Sequence, residues 1–420
     1  MESSNFIRDK VEAFFSIRLE RKDFILIFVS IAGYLTWLLA FPLFGPIMAN
    51  YLGGMRALAI EKGRVIQIFL ALMSVSSLSS GYLIDKTGKR LIFLWGSTLV
   101  ASLISLAFLM VNDILLVFPI AAILGVVAGF APTAWGTIFA DHTAPEDRGR
   151  VMGMAVAVSM PIVYSFLFLD SVNIGGISQL GLPIIGVLYL LTLLTVLLKP
   201  VDKEIDERAA RRSRGAGQRQ IILYAAPLFL FYIVVGVMLS IVFPTIQDNI
   251  NKDTFYILWA IPTFLGALVG GSLLDSRGRK FPMILGLATT GVSLAVLGIL
   301  GIKIGFVSII TLAGGFTIVV ISSFIVWADL APMKSRGIHY GLGFALIFLA
   351  LLLGLVVSGT TFGSVSETLL KRFMFFSAVA LFLCIPPLIV AEDALPKEII
   401  EKRQMEEHLK KARDKLSQNK

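Results

Sequence analysis

The chain has 420 residues, of which 56% are hydrophobic and only 15% are charged, so it carries too little polar surface for a water-soluble globular protein. Lipid must therefore solvate much of it. The net charge of +9 would suggest a nucleic-acid partner in a soluble protein, but in a membrane protein its meaning depends on where the basic residues lie. The single cysteine, Cys384, excludes an intramolecular disulfide, and the three scattered histidines predict neither a metal site nor a cofactor.

Twelve charge-free stretches follow one another along the chain, and each is long enough to cross a bilayer as a helix, which takes roughly 20 apolar residues. Frequent glycine and proline within them are typical of packed membrane helices. The predicted fold is therefore all-α, an integral membrane protein with twelve transmembrane helices. The predicted spans are 24–55, 65–84, 91–112, 114–140, 151–169, 171–198, 220–247, 254–274, 281–302, 304–328, 337–366 and 373–391.

The polar segments divide the chain into two halves. Residues 1–23 mix acids and bases and show no cleavable signal peptide, so they are predicted to form an N-terminal tail. A charged linker at 199–219 separates two groups of six spans, 24–198 and 220–391. The tail at 392–420 places glutamate four residues before lysine several times, which predicts a solvated or membrane-surface helix.

The distribution of basic residues predicts the orientation. Of the 37 Lys and Arg, 30 fall on the same side of the membrane as both termini. Because such an excess marks the cytoplasmic side, we expect a multi-pass protein of the cell membrane with both termini inside, its basic loops facing anionic headgroups, and no nucleic-acid partner. The seven on the outer side are Arg56, Lys62, Arg64, Lys252, Lys303, Lys371 and Arg372.

Two loop motifs each occur twice. GYLIDKTGKR at Gly81–Arg90 is matched by GSLLDSRGRK at Gly271–Lys280, at an offset of 190. DHTAPEDRGRVMG at Asp141–Gly153 is matched by DLAPMKSRGIHYG at Asp329–Gly341, at an offset of 188. Two separate motifs at nearly one offset imply a duplicated six-helix unit.

At these residues the sequence resembles the major facilitator superfamily, whose loop signature between the second and third spans is close to G-x-x-x-D-x-x-G-R-K. The resemblance implies two pseudo-symmetric six-helix bundles that rock against each other in alternating access. It also implies that the loop residues form an inner latch, made in the outward-open state and broken in the inward-open state. The predicted latch residues are Gly81, Asp85, Gly88, Lys89, Arg90, Arg148, Gly271, Asp275, Arg277, Gly278, Arg279, Lys280 and Arg336.

The residue types in these loops suit such a latch. In each copy the first glycine allows close helix contact, and the second gives backbone freedom in the turn. Asp85 and Asp275 can cap or attract the N-terminus of a neighbouring helix. Arg148 and Arg336 are predicted to pair with these aspartates or with helix C-termini. The simpler alternative is that the basic pairs only anchor the hairpins to the membrane surface.

The substrate is less visible. No span interior contains Lys, Arg, Asp or Glu, so a neutral or amphipathic small organic solute fits best. The fourth span lacks the arginine of proton-linked drug antiporters and the fifth lacks their glycine-proline-glycine-rich run, which weakens that alternative without excluding it. By resemblance the first, fourth, seventh and tenth spans line the cavity. The candidate cavity residues are Tyr34, Trp37, Thr133, Trp135, Tyr232, Gln247 and Asp248, although packing or solvation is the simpler interpretation of each.

Other function classes lack their signatures. The sequence contains no HExxH or GxSxG motif and no paired intramembrane carboxylates, so an enzyme is not predicted. No filter-like repeat suggests a channel. The predicted function is a monomeric secondary transporter without a cofactor. The alternatives are drug or metabolite efflux by antiport with a coupling proton, and a receptor that keeps the fold without transporting.

Overall fold

A computed structural model describes residues 19–39, 59–107, 110–111, 113–171, 177–198, 216–250, 252–301, 306–358 and 365–395, together with 200, 399, 401 and 405. Within this part of the chain the structure is helical and contains no β-strand. The N-terminal tail before residue 19, most of the linker at 199–219 and most of the tail beyond Leu395 lie outside the described residues. The predicted domain boundaries therefore stay predictions.

The N-terminal half contains six helical segments. Proline lies inside α4 and α5, which membrane helices tolerate. The segments are α1 (Arg21–Leu38), α2 (Ala59–Thr87), α3 (Arg90–Ala107), α4 (Ile114–His142), α5 (Arg148–Ser171) and α6, which runs from Ile177–Leu190 into a 3-10 segment, Leu191–Leu198.

The C-terminal half repeats this order. Its first helix, α7, runs from Gln218–Val237 through a π-helical turn, Met238–Val242, into Phe243–Ile250. The others are α8 (Lys252–Arg277), α9 (Lys280–Leu300), α10 (Phe306–Leu330), α11 (Arg336–Val357) and α12, which comprises Glu367–Leu383 and Ile385–Val390.

Nine helices in the described part of the chain are long and apolar enough to cross a membrane. They are α2, α3, α4 and α7–α12, and all of them coincide with predicted spans. Many large apolar side chains on them face outward, as expected where lipid replaces water. The all-helical membrane fold is confirmed, while the count of twelve crossings stays a prediction.

The two halves meet along two pairs of helices, because α2 packs along α11 and α5 packs along α8. A Cβ atom built at Gly81 would lie 2.4 Å from the carbonyl oxygen of Gly337, and one at Gly149 would lie 2.2 Å from that of Gly271. Contacts this short exclude any side chain, so only glycine permits these backbones to approach so closely. Near the far end of α5 and α8, the rings of Tyr164 and Tyr256 lie 6.3 Å apart.

Candidate functional site

The loops after α2, α4, α8 and α10 lie together at one end of the molecule, here called the latch end, and Asp85 joins the two halves there. Asp85 lies in the last turn of α2. Its carboxylate accepts hydrogen bonds from the backbone N–H groups of Gly337 and Ile338, each at 2.8 Å. These donors belong to the first turn of α11, where helix N–H groups have no partner within the helix. The aspartate of one half therefore caps a helix of the other half.

Asp275 makes the equivalent contact from the opposite half. It lies in the last turn of α8 and accepts hydrogen bonds from the N–H groups of Gly149 at 2.6 Å and Arg150 at 2.8 Å, at the start of α5. Its carboxylate also lies 3.3 Å from the Arg150 side chain and 3.0 Å from that of Arg279. The two caps are related as the sequence repeats are, so these contacts between the halves have the pseudo-symmetry of the chain.

Two further aspartates, Asp141 and Asp329, each bridge an arginine of their own half and an arginine of the other half. Asp141 lies 2.8 Å from Arg90 and 2.6 Å from Arg336. Asp329 lies 2.6 Å from Arg279 and also pairs with Arg148. Both aspartate side chains are buried, so each charge is desolvated and compensated by two guanidinium groups. Neither aspartate is among the predicted latch residues.

Arg148 and Arg336 thus pair with the bridging aspartates, whereas the capping aspartates bind backbone N–H groups. Arg148 also donates to the carbonyl oxygen of Ala140 at 2.8 Å, in the last turn of α4, which is the predicted contact with a helix C-terminus. Arg279 likewise donates to the carbonyl oxygen of Leu274 at 2.6 Å. These bonds fix the orientation of each guanidinium group.

The remaining predicted latch residues shape the loops. Gly88 and Gly278 have positive φ angles of 68° and 86°, which a side chain would oppose. Lys89 and Arg277 are exposed. Lys280 donates to the carbonyl oxygens of Ile389 at 2.6 Å and Ala391 at 2.9 Å, at the end of α12. In each copy the basic pair has one buried residue and one that lies further out. The buried residue is an arginine both times: Arg90, the second residue of its pair, and Arg279, the first residue of its pair.

The chain that follows α12 also reaches the latch. Asp393 accepts hydrogen bonds from the N–H groups of Arg279 at 2.9 Å and Lys280 at 3.2 Å, at the start of α9. The neighbouring Glu392 carbonyl oxygen accepts from the Tyr224 hydroxyl at 3.0 Å. This segment holds the backbone of Arg279, whose side chain pairs with Asp275 and Asp329.

An aromatic layer lies next to the polar latch and also joins the halves. The ring of Trp135 on α4 makes edge contacts with Phe324 on α10 at 5.7 Å and with Phe344 on α11 at 5.5 Å. Tyr340 packs over Gly136, where a built Cβ would lie 2.5 Å from its ring. The indole nitrogen of Trp135 is buried and has no hydrogen-bond partner among the described residues. These contacts separate the polar latch from the interior of the molecule.

Most predicted cavity residues have partners within their own half. Tyr34 donates to the carbonyl oxygen of Ala128 at 2.9 Å, and Trp37 donates to Ser105 at 3.0 Å. Thr133 donates to the carbonyl oxygen of Gly129, one turn earlier in α4. The hydroxyl groups of Tyr232 and Ser323 lie 2.7 Å apart, between α7 and α10. Trp135 therefore differs from the other four.

The two outermost candidates lie at the end of α7. Gln247 is half-buried, and the side chain of Asp248 lies outside the described residues.

The structure brings the predicted latch residues together in one place, whereas it spreads the predicted cavity residues over both halves.

Comparison with known proteins agrees with this architecture. The structure resembles that of the human organic anion transporter MFSD10 (TETRAN), with a TM-score of 0.65 and 15% identity over 88% of this chain and 99% of the other. It also resembles a bacterial homologue of the iron transporter ferroportin in its outward-facing state, with a TM-score of 0.67 and 16% identity over 89% and 99% of the two chains. At such identities the likeness shows the fold alone. No curated protein sequence matches the chain. Residues 26–250, more than half of the chain, match the sequence profile of the Major Facilitator Superfamily, so the chain belongs to that superfamily.

Proposed function

We propose that the chain is a secondary transporter, which moves a small organic solute across the cell membrane by alternating access between its two halves. The observation that supports this proposal is the set of contacts that join the two halves at the latch end. Asp85 and Asp275 each cap a helix of the opposite half, and Arg148 and Arg336 each pair with an aspartate of the opposite half. All these bonds lie at one end of the molecule, so rocking the halves apart there would break them together.

The contacts are strong enough to hold one state and can still be released. Hydrogen bonds to a charged group contribute about 1.5–3 kcal/mol each, and the two caps together make four such bonds to backbone N–H groups. On opening, water can solvate both the aspartates and the freed helix ends, so the net cost is a fraction of the sum. Such a two-state contact is what alternating access requires.

The latch end is the cytoplasmic end in this proposal, because the predicted inner loops carry most of the basic residues. Both termini then lie in the cytoplasm, and the protein acts as a monomer. In this proposal the latch closes the inward path, so the solute enters from the other side in this state. The outward-facing relative is similar in fold.

The proposed substrate is neutral or amphipathic. The predicted span interiors contain no charged residue to hold an ionic solute, whereas Tyr34, Trp37, Thr133, Trp135 and Tyr232 offer aromatic faces and hydrogen-bonding groups. The buried N–H group of Trp135 suits an acceptor oxygen or nitrogen of a solute when the aromatic layer opens. Gln247 and Asp248 remain candidates near the outer end of α7.

Ligand binding followed by flux tests this proposal. The purified full-length protein is heated with each member of a solute panel, since a ligand at about 100 times its Kd adds about 2.7 kcal/mol of stability. Each stabilising solute is then offered to proteoliposomes with and without a proton gradient. We expect uptake above that of empty liposomes for at least one of them. Binding without any flux would instead favour a receptor.

Drug or metabolite efflux by proton antiport is the alternative mechanism. It predicts that flux depends on an imposed proton gradient and that the solute moves in the direction opposite to the protons. Facilitated transport proceeds without a gradient of protons. The flux measurement with and without the gradient distinguishes the two.

A further inference from the structure

The membrane-facing surface carries a groove at the end opposite the latch, between the end of α9 and the start of α12. Its volume is about 560 Å³. Its α9 side is formed by Ala295, Gly298 and Ile299, of which the first has a small side chain and the second has none. The rings of Phe375 and Phe376, which are 58% and 67% exposed, form its α12 side. An apolar groove of this kind, open to the membrane, suits a hydrocarbon chain.

Basic side chains lie at the mouth of the same groove. Lys371 and Arg372 line it, as does Thr368 one turn earlier in α12. Lys371 pairs with Glu367 at 2.7 Å. No ion pair of Arg372 is found among the described residues, so these three charged groups leave a net charge of about +1 at the mouth. One net positive charge matches one phosphodiester.

The depth of these residues fits a lipid headgroup. Lys371 and Arg372 follow the start of α12 by about one turn, which is about 6–8 Å along the helix axis. Charged side chains at that depth reach the headgroup region, while Phe375 and Phe376, one turn further on, lie at the level of the acyl chains. The polar and apolar parts of the groove are therefore stacked in the order of a phospholipid.

The distribution of basic residues in the sequence is a separate indication that this groove binds a partner. Only seven of the 37 basic residues lie on this side by the predicted topology, and two of those seven are adjacent here. Because basic residues are disfavoured in translocated loops, an adjacent pair at the lip of an apolar groove calls for a specific partner. We propose that the α9–α12 groove binds one anionic phospholipid, with its phosphate at Arg372 and Lys371 and an acyl chain along Gly298 and Phe375.

The test counts bound lipids on the purified full-length protein by native mass spectrometry. Phosphatidylglycerol and phosphatidylethanolamine with identical acyl chains are titrated separately. We expect one phosphatidylglycerol to be retained in preference to phosphatidylethanolamine. The K371Q/R372Q variant should lose about thirty-fold in affinity for phosphatidylglycerol, because each basic residue near an anionic lipid contributes about five- to sixfold. Its affinity for phosphatidylethanolamine should stay unchanged.

Two controls make the outcome specific. Arg64→Gln removes an exposed basic residue on the same side but away from the groove, and it should leave phosphatidylglycerol binding unchanged. Ala295→Phe fills the groove and keeps both charges, so it should weaken retention of phosphatidylglycerol while the melting temperature stays near that of the wild type.

Three results would overturn the proposal. The first is equal retention of the two lipids by the wild type. The second is unchanged phosphatidylglycerol binding in K371Q/R372Q. The third is that soluble glycerol 3-phosphate competes as well as the lipid, since a headgroup alone would then suffice and the groove would have no part. None of these results depends on solute flux, so they leave the proposed transport function untouched.

Discussion

Replacing Asp85 by Asn tests the latch with a change of one charge and almost no change of shape. The carboxylate accepts two backbone hydrogen bonds from α11 at 2.8 Å each. Asparagine can accept one of them with its single carbonyl oxygen, but its amide group then faces the second N–H, donor against donor. The variant should therefore weaken the closed latch without removing a packing contact.

The size of the effect follows from these bonds. A hydrogen bond to a charged group contributes about 1.5–3 kcal/mol and a neutral one about 1 kcal/mol, and the charge at the helix N-terminus adds about 0.3–1 kcal/mol. Asp85 is half-buried, so water screens part of this and the lower end applies. A loss of about 2 kcal/mol shifts the ratio of closed to open molecules about thirty-fold towards the inward-open state.

Spin-label distances measure that shift. Cysteines replace the exposed residues Lys86 and Ser276, which occupy equivalent positions in the two halves, in a Cys384→Ser background. The distance distribution between the labels should gain a longer component in Asp85→Asn. Asp113→Asn is the matched control, because Asp113 caps α4 within its own half, at 2.9 Å from the Leu115 nitrogen. An unchanged distribution in Asp85→Asn, or an equal change in the control, would refute the latch.

Three further predictions use the same label pair, with melting temperature and transport as additional measurements. Gly81→Ala should favour the open state, because its Cβ would lie 2.4 Å from a backbone oxygen of α11, whereas Gly96→Ala should not, because nothing lies within 4 Å of that position. Arg336→Gln should favour the open state because its partner lies in the other half, while Arg90→Gln should mainly lower the melting temperature, because its Asp141 contact lies within one half. Tyr232→Phe, which loses one hydrogen bond of 2.7 Å, should change the KM for the solute without shifting the label distances; a shifted distribution would place Tyr232 in the gate instead of the cavity.

Much of the fold could be predicted from the sequence because membrane helices must be long, apolar and free of charge. These properties can be recognised in a run of consecutive residues. The capping role expected for Asp85 and Asp275 could be reasoned from their position at a helix end. Their partners could not be predicted in this way, since Gly337 and Gly149 contribute backbone N–H groups, which every residue except proline possesses. The glycines matter for their lack of a side chain.

Asp141 and Asp329 were missed although they begin the second repeated motif. Their offset of 188 was a usable signal, because a charged residue kept in both copies at the edge of a span needs a partner. The exchange of order is visible in the sequence, as Lys89-Arg90 in one copy and Arg279-Lys280 in the other, but the sequence does not show which residue of each pair is buried. The planar guanidinium group suits a buried double contact better than an ammonium group does, which explains why arginine is the buried member both times.

The cavity residues were harder to place because their partners are distant in sequence. Trp37 stacks on Tyr189 at 5.3 Å and bonds to Ser105, both on other helices. Nothing local in the first span indicates these contacts. An aromatic pair one turn apart is equally compatible with packing and with a cavity wall, and only the fold distinguishes them.

A reversible cross-link across the latch tests the central claim most directly. Cysteines at the exposed positions Lys86 and Ile338, at the ends of α2 and α11, are joined in a Cys384→Ser background by a short reagent that contains a disulfide. Flux of a solute that stabilises the protein is then measured in proteoliposomes before and after reduction. Alternating access predicts that the cross-linked protein still binds the solute but does not transport it, and that reduction restores flux. Full transport by the cross-linked protein would contradict the account, because the halves would then not need to separate at the latch.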